Sequence, residues 1–219
     1  MRVLGVNNAK AEAEWQELPS PKVEKGEIRI QVEAAGLNRA DLLQIKGLYP
    51  GKVDNPILGL ECSGIIDQVG EGIDEAWLGR KVCALLRGGG IADYVVCSPS
   101  VVVSAPNGIE LSLAAGLCET WCTALFNLWD QAKLVPKERV LIHAGASGVG
   151  VAAIQLARLL GATPFITCGS EKKLQYCLDR GAEAGVLRTQ DWAAYFRGLG
   201  LQFDVILDPV GAGYLNKNL

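Results

Sequence analysis

The chain has 219 residues, an apolar fraction of 49% and 21 Lys and Arg against 24 Asp and Glu, enough apolar sequence for the cores of one or two globular domains. A net charge of −3 without a long basic run argues against a nucleic-acid partner or an anionic membrane surface. The apolar part of the N-terminus is too short for a signal peptide and no stretch reaches the length of a membrane span, so the expected address is cytoplasmic. The seven cysteines lie mostly inside apolar segments without a C-x-x-C pair and read as reduced core residues. Cys118 and Cys122, one helical turn apart, are expected as two buried small residues on one helix face.

In chain order, the segment from Lys22 to about Ser104 is β in character. Residues 27–32 alternate, 64–69 and 80–85 are short apolar runs, and 91–97 leads to 101–104, as in short strands of a partly open barrel. A brief helix is expected over 39–46, and Gly88-Gly89-Gly90 is most simply a hairpin turn. The character changes near Pro106-Asn107-Gly108, after which Ser112 precedes a long apolar-periodic stretch to about Leu134, closed by Pro136. The domain boundary is placed there, with 1–108 as a substrate domain and 109–219 as a dinucleotide-binding domain.

The most informative segment follows. The apolar run Val140-Leu141-Ile142-His143 leads into Ala144-Gly145-Ala146-Ser147-Gly148-Val149-Gly150 and then a helix-like stretch to Leu160. A strand, a small-residue turn and a helix make a cradle for a dinucleotide pyrophosphate, because a helix N-terminus offers unpaired N–H groups and partial positive charge. Gly145 and Gly150 fit the first and third positions of G-x-G-x-x-G, while Ser147 stands where the second glycine is expected. A bare glycine turn could equally be an ordinary tight connection; the run of βα units that follows, through 163–168, 185–187 and 203–207, favours the cofactor reading. In NAD-binding folds an acid at the end of the second strand bonds the ribose 2′-OH. Here that strand ends in Gly169-Ser170, with Lys173 on the next turn, which leaves room and charge for a 2′-phosphate. Against this, Glu171 could supply the acid, and Lys172, Lys173 and Arg188 could be solvated surface charges.

Six segments together resemble the medium-chain dehydrogenase/reductase superfamily, in its zinc-free, zeta-crystallin-like quinone oxidoreductase branch. They are Ala34-Ala35-Gly36-Leu37-Asn38-Arg39-Ala40-Asp41, Leu58-Gly59-Leu60-Glu61-Cys62-Ser63-Gly64, Ala84-Leu85-Leu86-Arg87-Gly88-Gly89-Gly90, Glu119-Thr120-Trp121-Cys122-Thr123-Ala124, the turn from Leu141 to Gly150, and Gly169-Ser170-Glu171-Lys172-Lys173-Leu174-Gln175. The resemblance implies an α/β protein, a GroES-like partly open β-barrel followed by an incomplete Rossmann domain. It implies NADP(H) as cofactor and direct hydride transfer to a small-molecule quinone or α,β-unsaturated carbonyl. A homodimer would fit the family. It implies that Asn38 bonds the nicotinamide or the substrate carbonyl, that Tyr49 lines the substrate pocket and that Thr123 contacts the nicotinamide side. The expected cofactor-binding set is completed by Ala146, Ser147, Gly148, Val149, Gly150, Gly169, Ser170, Lys173, Arg188, which stands where the family has a tyrosine, and Asp208. Each has a bland alternative: Asn38 could simply cap its helix, Thr123 could be a packed helix residue, and Tyr49 lies in a Gly/Pro-flanked loop.

No metal is expected, because Asn38 and Leu60 stand where the resemblance would place the first Cys and the His of a zinc site, and a tetrahedral site needs three or four convergent ligands. The only histidine, His143, is expected in a packed or hydrogen-bonded role. The chain stops at Leu219 after a fourth strand, where a complete doubly wound domain has about six, so an exposed sheet edge at 203–207 and low or absent turnover are expected. A second reading is a catalytically silent truncated isoform, unstable or acting through a partner.

Overall fold

The computed structural model describes residues 1–7, 10–49, 56–211 and 213–219, and the chain divides into two compact units, Met1–Glu119 and Thr120–Leu219.

The first unit begins with a hairpin that the hydrophobic pattern does not announce. β1 (Arg2–Asn7) pairs antiparallel with β2 (Glu12–Glu17). Almost every residue of β2 is exposed, so the period-two signature of a half-buried strand is missing from it. β3 (Ile28–Ala35), α1 (Arg39–Ile45), β4 (Glu61–Val69), β5 (Lys81–Leu85), β6 (Tyr94–Cys97) and β7 (Val102–Ser104) follow. The five strands make one antiparallel sheet in the order β6-β3-β4-β5-β7. Alternation puts Ile28, Ile30, Cys62, Ile66, Val82, Ala84 and Val95 into a shared core, as the pleat requires. The structure corrects the hairpin expected at the glycine triplet: β5 and β6 are not neighbours in the sheet. Instead Gly89 and Gly90 donate their N–H groups to the carbonyls of Ile57 and Gly59, both at 2.9 Å. The triplet therefore crosses from one strand to another while pinned to the chain that enters β4.

The long apolar-periodic stretch after Ser112 divides into α2 (Leu111–Ala114), α3 (Cys118–Leu125) and a π-helical turn over Phe126–Gln131, with Gly116 between the first two. The cysteine expectation is corrected here: Cys118 is buried, but Cys122 is exposed.

The second unit is built from β8 (Arg139–Ile142), α4 (Gly148–Leu159), β9 (Thr163–Cys168), α5 (Glu171–Leu178), β10 (Ala184–Leu187), α6 (Trp192–Gly198), β11 (Val205–Leu207) and α7 (Leu215–Asn218). The strands are parallel in the order β10-β9-β8-β11. Because both faces of a parallel sheet are covered, β8 reads as a continuous apolar run, and Val140, Leu141 and Ile142 are all 0% exposed. Val140 and Ile142 pack with Ala153, Ile154 and Ala157 of α4. Leu141 faces the opposite core of Phe165, Val186, Trp192 and Phe196. Burying each of these large side chains contributes about 1.5–3 kcal/mol. β9 and β11 flank β8 on opposite sides, so the strand order reverses there, and ligands of such sheets bind beyond the carboxyl ends of strands at this point.

Candidate functional site

After β8 the backbone turns through Ala144, which adopts a left-handed φ of 52°. The Gly145 N–H donates to the Thr167 carbonyl at 2.9 Å and the Ser147 N–H to the Ala144 carbonyl at 2.8 Å. Ser147 caps α4, its Oγ accepting the Gly150 N–H at 3.0 Å. The two glycines of the motif are needed first by the protein itself. A Cβ on Gly150 would stand 2.5 Å from the Gly145 carbonyl oxygen and 2.6 Å from that of Ala144, and one on Gly145 would stand 2.7 Å from the Ile166 Cβ. Gly150 is bare because the helix start passes over the carbonyls of the turn, and Gly145 because the turn packs on the Ile166 side chain of β9. Ser147 departs from the motif at no cost in packing, and its hydroxyl caps the helix. The N–H groups of Gly148 and Val149, at the helix start, have no intrahelical acceptor to use.

Beyond this turn lies a cleft of about 350 Å³ lined by Ala144, Ala146, Ser147, Thr167, Cys168, Gly169, Ser170, Lys173, Arg188, Val210 and Tyr214. Of the residues expected from sequence to hold a cofactor, Ala146, Ser147, Gly169, Ser170, Lys173 and Arg188 line it together. Ser170 caps α5, its Oγ accepting the Lys173 N–H at 3.4 Å. Arg188 comes across from the end of β10, its N–H on the Cys168 carbonyl at 2.7 Å, and a Cβ on Gly169 would lie 3.7 Å from its Nε. Two exposed cations thus meet at the β9 tip, while Glu171 is exposed and is not among the lining residues.

Asp208 is placed differently. Its Oδ1 accepts the N–H groups of Val210 and Gly211 at 2.9 and 3.0 Å and its Oδ2 accepts Asn218 Nδ2 at 2.9 Å, so it organises its own loop. Thr167, Cys168, Val210 and Tyr214 line the cleft without having been singled out from sequence. For Thr167 and Cys168 the usable signal was their place at the carboxyl end of the second parallel strand; Tyr214 had none.

His143 lies under this floor. It is 0% exposed, with Nδ1 2.9 Å from Thr167 Oγ1 and Nε2 2.9 Å from Asn218 Oδ1. The rings of Trp192 and Tyr214 meet it edge-on at centroid distances of 4.7 and 4.8 Å. Burial pushes its pKa below the ordinary imidazole value, against weaker opposing effects of the Asn218 bond and the Asp208 charge.

In the first unit Asn38 is the N-cap of α1. Its N–H donates to Asp41 Oδ2 at 2.8 Å and its Nδ2 to Glu61 Oε1 at 2.8 Å. Glu61, 1% exposed, also accepts the Glu119 N–H on Oε2 at 2.9 Å. Asp41, 2% exposed, takes the Gly59 N–H on Oδ1 at 2.8 Å. A Cβ on Gly36 would collide with the Glu61 carboxylate. Burial first, then the charges of Glu61 and Asp41, raises the pKa of the Glu119 carboxyl. Tyr49 is half-buried at the edge of residues 50–55, which lie outside the described ones. Thr123, in α3, is half-buried and its carbonyl accepts Asn127 Nδ2 at 2.8 Å. Among the described residues, no group of three or more His, Cys, Asp or Glu could hold a metal ion, and no helix is long and apolar enough to cross a membrane.

Residues 24–107 match the alcohol dehydrogenase GroES-like domain and residues 148–219 the zinc-binding dehydrogenase family. The synaptic vesicle membrane protein VAT-1 homolog of Danio rerio is 33% identical over 200 residues, which are 90% of this chain and 41% of that protein, so the chain spans less than half of this relative's length. The CurK enoyl reductase superposes with a TM-score of 0.89 at 33% identity, over 99% of this chain and 69% of the other. The Escherichia coli quinone oxidoreductase in complex with NADPH superposes with a TM-score of 0.87 at 26% identity, over 99% and 68%.

Proposed function

The chain belongs to the zinc-free quinone oxidoreductase branch of the medium-chain dehydrogenase/reductase superfamily, a family of oxidoreductases, and on that basis we propose that it binds NADP(H) and serves the reduction of quinones or α,β-unsaturated carbonyls. One observation carries the cofactor choice: Lys173 and Arg188 converge on a cleft at the β9 tip whose lining residues include no acid. A 2′-phosphate there would meet an ammonium and a planar guanidinium suited to bidentate contact. The fit is supported by the bare position Gly150, which lets the start of α4 approach the turn carbonyls, and by the Gly148 and Val149 N–H groups, which suit a pyrophosphate. Similar structures include a complex with NADPH.

When bound, the reduced nicotinamide supplies the hydride. The chain's own residues then bind, orient and exclude water rather than activate an oxygen through a metal. In the first unit, Glu61 takes one of the two N–H bonds of the Asn38 amide. Among the described residues nothing takes the other N–H, which in this reading serves a substrate or nicotinamide carbonyl. Tyr49 at the substrate and Thr123 at the nicotinamide side are carried over from the family pattern, and Asp208 acts by shaping its loop. The seven cysteines, read as reduced, suit the reducing compartment we propose for the chain, the cytoplasm.

Fluorescence titration with NADPH, followed by oxidation of bound NADPH with an ortho-quinone and separately with an enoyl thioester, tests this reading. Saturable binding with turnover of either acceptor supports it and identifies the acceptor class. Absence of binding by the folded chain refutes it.

A further inference from the structure

The buried imidazole of His143 sits in a chain of hydrogen bonds whose direction can be worked out atom by atom. Asp208 uses Oδ1 for the N–H groups of Val210 and Gly211 and Oδ2 for Asn218 at 2.9 Å. A carboxylate in this setting only accepts, so the Asn218 amide nitrogen faces Asp208 and its carbonyl oxygen faces His143. That oxygen, 2.9 Å from Nε2, also only accepts, so Nε2 carries the proton. An imidazole buried between Trp192 and Tyr214 is held neutral by desolvation, so Nδ1 has no proton. The Thr167 hydroxyl, 2.9 Å from Nδ1, must then donate to it. Its single proton is committed inward, so any further hydrogen bond at this oxygen, from the side of the cleft that the nearly buried Thr167 lines, is one it accepts.

We propose that His143 is a positioning residue that sets the hydrogen-bond polarity of the cleft floor, making the Thr167 hydroxyl an obligatory acceptor for a ribose hydroxyl of the bound dinucleotide. The ligand part of this inference rests on reading the cleft as the dinucleotide site; the proton order does not. The consequence is a physical link between the 208–218 loop and the floor, since Asp208 and Asn218 choose the tautomer that Thr167 reads. Asp208 is the charged group acting on the ring; its other contacts, Thr167, Asn218, Trp192 and Tyr214, are neutral.

Only one histidine is present, so a chain labelled with 15N-histidine gives one imidazole pattern. The expected spectrum shows a protonated Nε2 and an unprotonated, hydrogen-bonded Nδ1, and Asn218→Ala shifts it toward a mixture of tautomers. A native Nδ1–H tautomer, or a tautomer indifferent to Asn218→Ala, overturns the proposal. In NADPH titration, Thr167→Val should weaken binding about tenfold, while Thr167→Ser, which keeps the hydroxyl, should stay within about twofold of the parent. Equal binding by parent, Val and Ser variants overturns the acceptor role. If Thr167→Val does not fold, Thr167→Ala carries the same comparison. A folded parent that binds no NADPH refutes the reading of the cleft, and the imidazole spectrum still decides the proton order.

Discussion

Two helix starts in this molecule have the same electrostatic character and opposite uses. At α1 the protein supplies its own anion: the buried Asp41 carboxylate accepts the N–H of the N-cap Asn38 and that of Gly59, and Glu61 takes the Asn38 amide. At α4 it supplies only the neutral Ser147 hydroxyl, which accepts the Gly150 N–H, and Ser147 lines a cleft with Lys173 and Arg188 beside it. A helix N-terminus favours negative charge in either place. It can receive a ligand only where the chain has not already filled it. The first arrangement therefore holds structure together, and the second is open to a phosphate.

The largest expected effect comes from closing the open start. Gly150→Leu drives a side chain into the carbonyls of Gly145 and Ala144, 2.5 and 2.6 Å from the Cβ position. NADPH binding should be lost in fluorescence titration while the melting signal of the first unit persists. Retained affinity would show that the turn is not where the dinucleotide lies. Emptying the filled start should instead cost stability. Asp41→Ala leaves the Asn38 and Gly59 N–H groups without their acceptor, and a loss of about 2–3 kcal/mol is expected in denaturant unfolding, with a much smaller fall in NADPH affinity than Gly150→Leu causes. A fall in affinity as large as that of Gly150→Leu would erase the distinction between the two starts.

A smaller effect sharpens what the open start selects. NADPH should bind at least about tenfold tighter than NADH, a gap of about 1.4 kcal/mol, and Lys173→Ala should narrow it. Parity in the parent chain would mean that Lys173 and Arg188 are only surface charges. The smallest effect is the pH dependence contributed by His143. Its folded pKa lies below the ordinary value of 6.5 because burial disfavours the cation. The unfolded chain therefore takes up the proton first on acidification. This contribution is fully present above pH 6.5 and is lost as the pH falls through the folded pKa. Melting temperatures followed downward from neutral pH should show a decline that His143→Asn reduces; an equal slope in both chains would assign the decline to other groups.

Much of this was readable along the chain because local physics dictates it. β8 and β9 announce themselves as apolar runs, and small residues between β8 and α4 are obligatory wherever a helix passes so close over a strand end. The absence of an acid in Gly169-Ser170 is a fact of composition, and the structure adds that Lys173 and Arg188 share one cleft there. The β1–β2 hairpin was not readable, because β2 is exposed on both faces and a strand without a buried side has no period to show. Cys118 and Cys122 were misjudged as a pair because spacing says which residues lie near each other on a helix, not how much of its surface the neighbours cover.

By itself, then, the sequence determined the alternation of strands and helices from β8 to β11, the small-residue turn and the charges available beside it, since these follow from neighbours within a few residues. Tertiary structure alone decided that Asp41 and Glu61 would be buried against N–H groups at Asn38, Gly59 and Glu119. It alone decided that Thr167, His143, Asn218 and Asp208 would form one hydrogen-bonded line. Apart from the local Asn38–Asp41 bond, those contacts join residues 10 to 75 positions apart, and such a hydrogen bond has no signature in a sequence until the fold brings its donor and acceptor within about 3 Å of each other.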